Sequence, residues 1–471
     1  MRHAVLIVSL LGLALGVLLL FSGCSNSNSS SGTVTLYLFG RSPDLLERRL
    51  KTREARPEQR LIILLSLPVL LAGGPVVTGN PEPVAPLVEA AGVGDGEALV
   101  PSFIEAWLER REKGWDRRLF LEELAARPGF YVPSLYRAEP SEEENGALVP
   151  RPDSPSAPEH IARQTAPLDG EPAHSVIVTP EAHFSDMYMI EVARGCRHAC
   201  RFCLVSRINR PWRLSDPGRV EELIRNAPEE ARVAGLVGAN LCDYPELPRI
   251  LRAVQNRGLR LGASSLRVDT LTVEILELLR DCGVRTVTLA PETASPALLK
   301  TLGKPSAAEL LPDAVGRASA MGFEQIKLYY MVGLPGETGQ DRAVLVEQVR
   351  AIASGLASRA RLKISLNPFV PKPQTRWQDE PMLAPEGIKA ALNQVRRGLA
   401  REKRVELQCE TPAASLVQAL ISLGDRRLAD ALQVSAPESR GFMESARRAG
   451  IDTQSLLHQR KKPSTPRPWR L

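Results

Sequence analysis

A chain of 471 residues with 44% apolar and 24% charged side chains is too long for one core of ordinary size and predicts two or three globular domains. Its formal charge of +6 rests largely on the tail 459–471, where Arg460, Lys461, Lys462, Arg467 and Arg470 stand without an acid; the body is close to neutral, so a nucleic-acid partner is unsupported. Seven cysteines in this length do not make a disulfide framework, and three of them crowd between 196 and 203 while Cys24, Cys242, Cys282 and Cys409 are scattered, which points to metal and a reducing compartment.

Residues 1–33 hold Arg2, an uncharged apolar run over 4–21, then Ser22-Gly23-Cys24 and a Ser/Asn-rich stretch. Taken alone they predict a leader with a lipoprotein-like box and a membrane-anchored protein. The interior signals cover far more of the chain and favour a cytoplasmic enzyme, the leader then being artefactual. Residues 34–112 show a strand over 61–72 closed by Gly73-Gly74-Pro75, a turn at Gly94-Asp95-Gly96-Glu97 and a helix over 99–111. Glycine turns after a buried strand bring backbone close to a ligand in doubly wound sheets, so this segment predicts an incomplete Rossmann-like α/β domain. Residues 113–182 are rich in Pro, Glu and Ser and predict a linker that wraps or floats.

From 183 to 404 the pattern turns regular. Apolar strand candidates recur at 187–192, 231–238, 259–265, 284–291, 325–333 and 362–368, each followed by an amphipathic helical stretch. Six such units predict a parallel sheet curled into a partial (βα)6 TIM barrel, with its site at the C-terminal ends of the strands. A helical extension is predicted over 405–458, and the basic tail 459–471 reads as a solvated end.

The cysteines follow the first of these strands as C-x3-C-x2-C: Cys196, Cys200 and Cys203, introduced by Gly195, which lets the chain turn sharply. Three thiolates on a four-iron cubane leave one iron open to an external molecule. A zinc site would need a fourth ligand, for which His198 is the candidate, but zinc ligands usually come as separated pairs. Cys242 and Cys282 read as small buried hydrophobes.

This loop after the first strand of a βα repeat, with Phe202 just before the last cysteine, resembles the radical S-adenosylmethionine (SAM) superfamily. The resemblance implies a 4Fe-4S cluster whose open iron chelates SAM, an electron donor such as flavodoxin or ferredoxin, and reductive cleavage of SAM to a 5′-deoxyadenosyl radical. It extends to the later strand ends. Gly238 and Asn240 stand at the Gly-Gly-Glu-like motif, with Asn240 where an acid is often found. Ser264, Ser265 and Arg267 suit ribose and carboxylate contacts, and Glu292 is an acid at the mouth. Lys327, Tyr329, Gly333 and Pro335 look like the strand-five motif of coproporphyrinogen-dehydrogenase-like and methylthiotransferase-like members, and Asn367 closes strand six. Lys327, if buried, needs a partner such as the SAM carboxylate or Glu292.

Over residues 60 to 430 the chain resembles radical SAM proteins with an N-terminal cobalamin-binding-type domain. No histidine lies between His3 and His160, so cobalamin, where it binds, would lack the histidine ligand of the Asp-x-His-x-x-Gly loop. Methyl or methylthio transfer follows by analogy alone, and the lack of a second cysteine cluster speaks against sulfur insertion. The rival readings are a non-catalytic iron–sulfur electron-transfer or sensing protein, whose fourth iron ligand is filled, and a membrane-attached binding protein.

Overall fold

The computed structural model describes residues 69–141, 147–357, 359–434, 441–462, 467 and 469, together with the backbone of strands β1 (Val17–Phe21) and β2 (Val34–Leu38). The rest of the 1–33 leader and residues 61–68 of the first predicted strand lie outside them. Among the described residues no helix is long and apolar enough to cross a membrane. The chain divides into two compact units, the first formed mostly by the chain before Pro167 together with Ile421–Asp452, the second centred on Pro167–Leu420.

The first unit starts from β3 (Val69–Gly73), whose apolar run turns through Gly74-Pro75 into the short helix α1 (Pro75–Gly79). Parallel to β3 runs β4 (Ala90–Gly92), followed by α2 (Gly96–Lys113), α3 (Arg117–Ala126) and β5 (Phe130–Tyr131), antiparallel to β4. A β–α–β unit of Rossmann type is therefore present, flanked by antiparallel strands. The 113–182 stretch is not simply floating chain. Asp116 caps α3 by accepting from Leu119 N–H at 2.8 Å, Phe120, Leu124 and Phe130 are buried in the core, and β6 (Tyr136–Pro140) pairs with β7 (Leu148–Pro152). Averaged composition hides these apolar anchors, which order the proline-rich backbone around them. The chain also returns to this unit late: Arg426 donates from Nε and Nη2 to Glu82 at 2.8 and 3.0 Å, and Asn80 Nδ2 donates to the Gly424 carbonyl at 2.8 Å.

In the second unit every one of the six strand expectations is met. They form β8 (Met187–Glu191), β11 (Val233–Val237), β12 (Arg260–Gly262), β13 (Thr286–Glu292), β14 (Gln325–Val332) and β15 (Arg361–Pro368), with β9 (Ala193–Arg194) and β10 (Arg213–Leu214) a small antiparallel pair beyond β8. β12, β11 and β8 pair in parallel, as do β13, β14 and β15, and the Leu266–Leu289 bridge joins the two sets. Helices fill the crossovers: α4 (Val205–Ile208), α5 (Pro217–Arg225), α6 (Leu247–Asn256), α7 (Val273–Asp281), α8 (Pro296–Leu302), α9 (Ala307–Ala320), α10 (Gly339–Ser354) and α11 (Pro385–Leu399). Asp216 and Thr272 cap α5 and α7 by accepting from Arg219 and Ile275 N–H. Ile275, Leu278 and Leu279 turn one buried face of α7 toward the sheet.

The sheet runs one strand further than expected: β16 (Val405–Cys409), placed by the sequence in a helical extension, pairs in parallel with β15. Its alternating half-buried pattern is that of an edge strand, which lacks the apolar run of the inner ones. Among the described residues β8 and β16 do not pair, so the barrel is open. Later in the chain come α12 (Pro412–Leu423), α13 (Leu428–Val434), α14 (Phe442–Arg448) and α15 (Thr453–His458), of which α13 and α14 belong to the first unit. The tail is not wholly solvated either, since Arg467 and Trp469 are buried.

Candidate functional site

The site is built on the loop that leaves β8. Glu191, the last residue of that strand, and Arg194 are both buried and form a two-pronged ion pair, Nε to Oε1 at 2.9 Å and Nη2 to Oε2 at 2.6 Å. Ser215 Oγ donates to the Glu191 carbonyl at 2.7 Å, so the strand end is held on two sides. Gly195 follows at φ +82°, and a Cβ there would lie 2.3 Å from the Asn209 carbonyl oxygen. No other residue fits this bend.

Cys196, Cys200 and Cys203 are free thiols on that loop, Cys200 buried and the others half-buried. The loop is pinned from three elements. Arg201 N–H donates to the Leu302 carbonyl at the end of α8, Trp377 N–H donates to the Arg201 carbonyl, both at 3.2 Å, and Ser206 Oγ donates to the Cys203 carbonyl at 2.8 Å. Gly303, in the left-handed conformation at φ +99°, lets the end of α8 approach Cys200, whose Cα would lie 3.7 Å from a Cβ at that position. Phe202 packs on a buried cluster of Leu298, Leu302, Leu334, Phe369 and Trp377.

Charged groups from the next three strand ends gather here. Arg267, after β12, points Nη1 at Cys200 Sγ, 3.7 Å away, while its Nε and Nη2 donate to Asp269 at 2.9 and 2.6 Å. Lys304 donates to Glu292 Oε1 and to the Ala290 carbonyl, each at 2.6 Å. His198 Nε2 lies 2.8 Å from Asp243 Oδ2, off the line of a good hydrogen bond. Burial pushes the Cys200 thiol up from its ordinary range, against the pull of Lys304 and Arg267. Burial raises Cys196 too, and it lowers His198, with Arg267 acting in the same sense.

The residues fit a cluster. Three free thiols on one pinned loop, with Arg267 reaching the middle one and apolar side chains behind, are the donor type of iron–sulfur ligation, although among the described residues no three such side chains are already gathered closely enough to hold an ion.

Comparison with known families settles the class. A model of the radical SAM superfamily matches residues 190–349, the span from β8 into α10, and a model of radical SAM proteins, N-terminal, matches residues 51–133. Residues 190–349 form a domain of the radical SAM superfamily. Among individual relatives, it is 27% identical over 260 residues to an uncharacterized protein of Methanocaldococcus jannaschii, covering 54% of this chain and 56% of that one. It is 22% identical over 189 residues to the ribosomal protein uS12 methylthiotransferase RimO of a Thermoanaerobacter species, covering 37% and 42%. The chain thus spans about half the length of the curated relatives it matches. Among solved structures it is similar to the radical SAM methyltransferase TsrM of Kitasatospora setae with cobalamin and a [4Fe-4S] cluster bound, at 14% identity and TM-score 0.46, over 81% of this chain and 80% of that one.

Set on this radical SAM core, the other candidate residues divide. Asn240 is buried, its Oδ1 accepting from Arg267 N–H at 3.2 Å and its Nδ2 donating to Thr270 Oγ1 at 3.2 Å. It braces the loop carrying Arg267. Gly238 lies beside Ser264, whose exposed Oγ is 3.5 Å from the Gly238 carbonyl, and Ser265 is half-buried. On β14, Leu328 and Tyr330 are fully buried and Tyr330 OH donates to Gln348 of α10 at 2.8 Å, which leaves Lys327 and Tyr329 on the opposite face of the sheet. Lys327 is only half-buried and sits 4.8 Å from the centre of the Tyr329 ring; the partner of Glu292 is Lys304, not Lys327. Gly333 N–H donates to Glu337 Oε2 at 2.7 Å, Glu337 also holds Arg342, and Thr338 caps α10. The Gly333–Pro335 segment is thereby fixed as a turn and helix cap. Asn367 closes β15 opposite Met331.

Sequence reasoning passed over Lys304, Asp243, Asp269 and the Glu191–Arg194 pair. Lys304 had a local signal, the Leu302-Gly303-Lys304-Pro305 stop after an amphipathic helix, which reads only as a terminus until the sheet curls. Asp243 had none.

Proposed function

We propose that this chain binds a 4Fe-4S cluster through Cys196, Cys200 and Cys203, binds SAM beside it and cleaves SAM reductively to modify a further substrate. The observation that carries the reading is the set of three free thiols on one pinned loop at the C-terminal edge of the parallel sheet, with Arg267 pointed at the middle cysteine. When bound, the cluster supplies the electron that breaks a carbon–sulfur bond of SAM.

The protein's own residues do the rest. Glu191, Arg194 and Gly195 aim the loop. Phe202 and the apolar cluster around Trp377 keep water from one side of it. Ser264, Ser265, Tyr329 and Asn367, toward the strand ends, are the candidate contacts to SAM, with Lys327 deeper on the same face of β14 as Tyr329, Asn240 bracing the loop that carries Arg267, Glu292 held by Lys304 at the mouth, and Gly238, Gly333 and Pro335 offering backbone. The electron comes from a low-potential donor of flavodoxin or ferredoxin type. Methyl or methylthio transfer is the reaction class suggested by the names of relatives, and the scatter of the other cysteines favours methyl transfer. Cobalamin, if the first unit holds it, is held there without a histidine from residues 4–159, where none occurs.

The test is anaerobic reconstitution. Wild type should take up about four irons per chain at this site, and alanine at 196, 200 or 203 should each lose most of it. SAM added to the reduced protein should change its paramagnetic resonance spectrum. Iron retained with no response to SAM would favour an electron carrier.

A further inference from the structure

Arg267 is a buried guanidinium with all its directions spoken for. Two of its nitrogens grip the carboxylate of Asp269, its backbone N–H is taken by Asn240, and the remaining Nη1 is aimed at Cys200 Sγ. A planar fork held on one side by a carboxylate presents its third nitrogen in a fixed direction. Such a group is poorly free to swing to the carboxylate of a small ligand. The contact is selective as well: Arg197, on the cysteine loop itself, stacks its guanidinium over Trp212 at 5.6 Å.

We infer that Arg267 is a tuning residue of the iron–sulfur centre, donating to the sulfur of Cys200 and making the centre easier to reduce. The inference rests on the reading of Cys196, Cys200 and Cys203 as cluster ligands. The physical ground is that a hydrogen bond and a positive charge at a ligating sulfur both favour the state with one more electron. Asp269 and Asn240 are then positioning residues, acting through Arg267. The assignment differs from that of a SAM-carboxylate partner in what it moves: the effect is present before SAM is added.

The experiment uses the full chain, reconstituted anaerobically as wild type, Arg267→Met, Arg267→Lys and Arg197→Met, with iron content measured and the reduction followed by paramagnetic resonance without SAM. Arg267→Met should keep its iron and require a tenfold more reducing poise for half-reduction, about 59 mV for one electron. Arg197→Met, which removes a like charge from the cysteine loop itself, should shift by less than half of that. Should Arg267→Met fail to hold iron, Arg267→Lys, which keeps the charge without the fork, decides: its midpoint should lie below that of wild type by more than the Arg197→Met shift. Midpoints at position 267 equal to wild type, or equal shifts at 267 and 197, would overturn the inference. A wild type that takes up no iron would instead end the cluster reading itself.

Discussion

Replacing Lys304 by methionine strips the partner from a buried carboxylate. The side chains of Lys304 and Glu292 are only 8% and 11% exposed and 2.6 Å apart, so this is not the surface pair for which solvent would make up the loss. Breaking one side of a buried pair costs about 3–5 kcal/mol, because the remaining charge stays desolvated. Glu292 also sits at φ +70°, a conformation that is tolerated only where its surroundings hold it. Lys304→Met should therefore lower the unfolding free energy by about 3 kcal/mol or more. Lys304→Met with Glu292→Gln should cost markedly less, giving a coupling of at least about 1 kcal/mol. The assay is urea unfolding of the apo protein followed by circular dichroism and tryptophan fluorescence, with Trp377 buried in the neighbouring cluster as a local probe. A single-variant loss under about 1 kcal/mol, or losses that simply add, would refute the argument, placing the pair among surface contacts of little energetic weight.

Other expectations test the loop. Gly195→Ala must move the Asn209 backbone, because its Cβ would lie 2.3 Å from that carbonyl oxygen; it should cut iron uptake several-fold while far-ultraviolet dichroism stays unchanged, and full uptake would contradict the geometry. Ligation needs thiolates, and burial raises the thiols of Cys200 and Cys196. Iron uptake should therefore accelerate with pH beyond about 8.5, the range of an ordinary thiol, and a plateau by that pH would argue against it. The same shifts fix a sign for stability. A thiol whose folded pKa is raised holds its proton longer in the native state, so the apo protein should lose stability as pH climbs above the ordinary thiol range, read as a falling urea midpoint. Cys242, with its thiol pushed up to about 12 by burial, should resist alkylation at pH 8.5 and, changed to alanine, should leave iron content untouched.

The six strands were legible because short segments rich in apolar residues recur along the chain, and the helices between them repeat their apolar face at helical spacing. The cysteine loop was legible for a different reason: three thiols at that spacing have few other uses. What escaped was set by tertiary proximity. Lys304 lies in sequence far from the loop and meets Glu292 only because α8 ends beside the cysteines and the end of β13. Lys327 was offered Glu292 as a partner on the expectation that it is buried, yet it is only half-buried beside Tyr329, and Lys304 holds the carboxylate. β16 was missed because an edge strand buries little, and the order of the 113–182 stretch was missed because a few aromatic anchors outweigh many prolines.

The account stands or falls on cleavage of SAM. Reconstituted protein incubated anaerobically with SAM and a strong reductant should release 5′-deoxyadenosine in an amount that depends on the cluster, and Cys200→Ala should abolish it while remaining folded. Iron at full occupancy with no 5′-deoxyadenosine above the Cys200→Ala background would contradict the account and leave an iron–sulfur protein that does no chemistry on SAM.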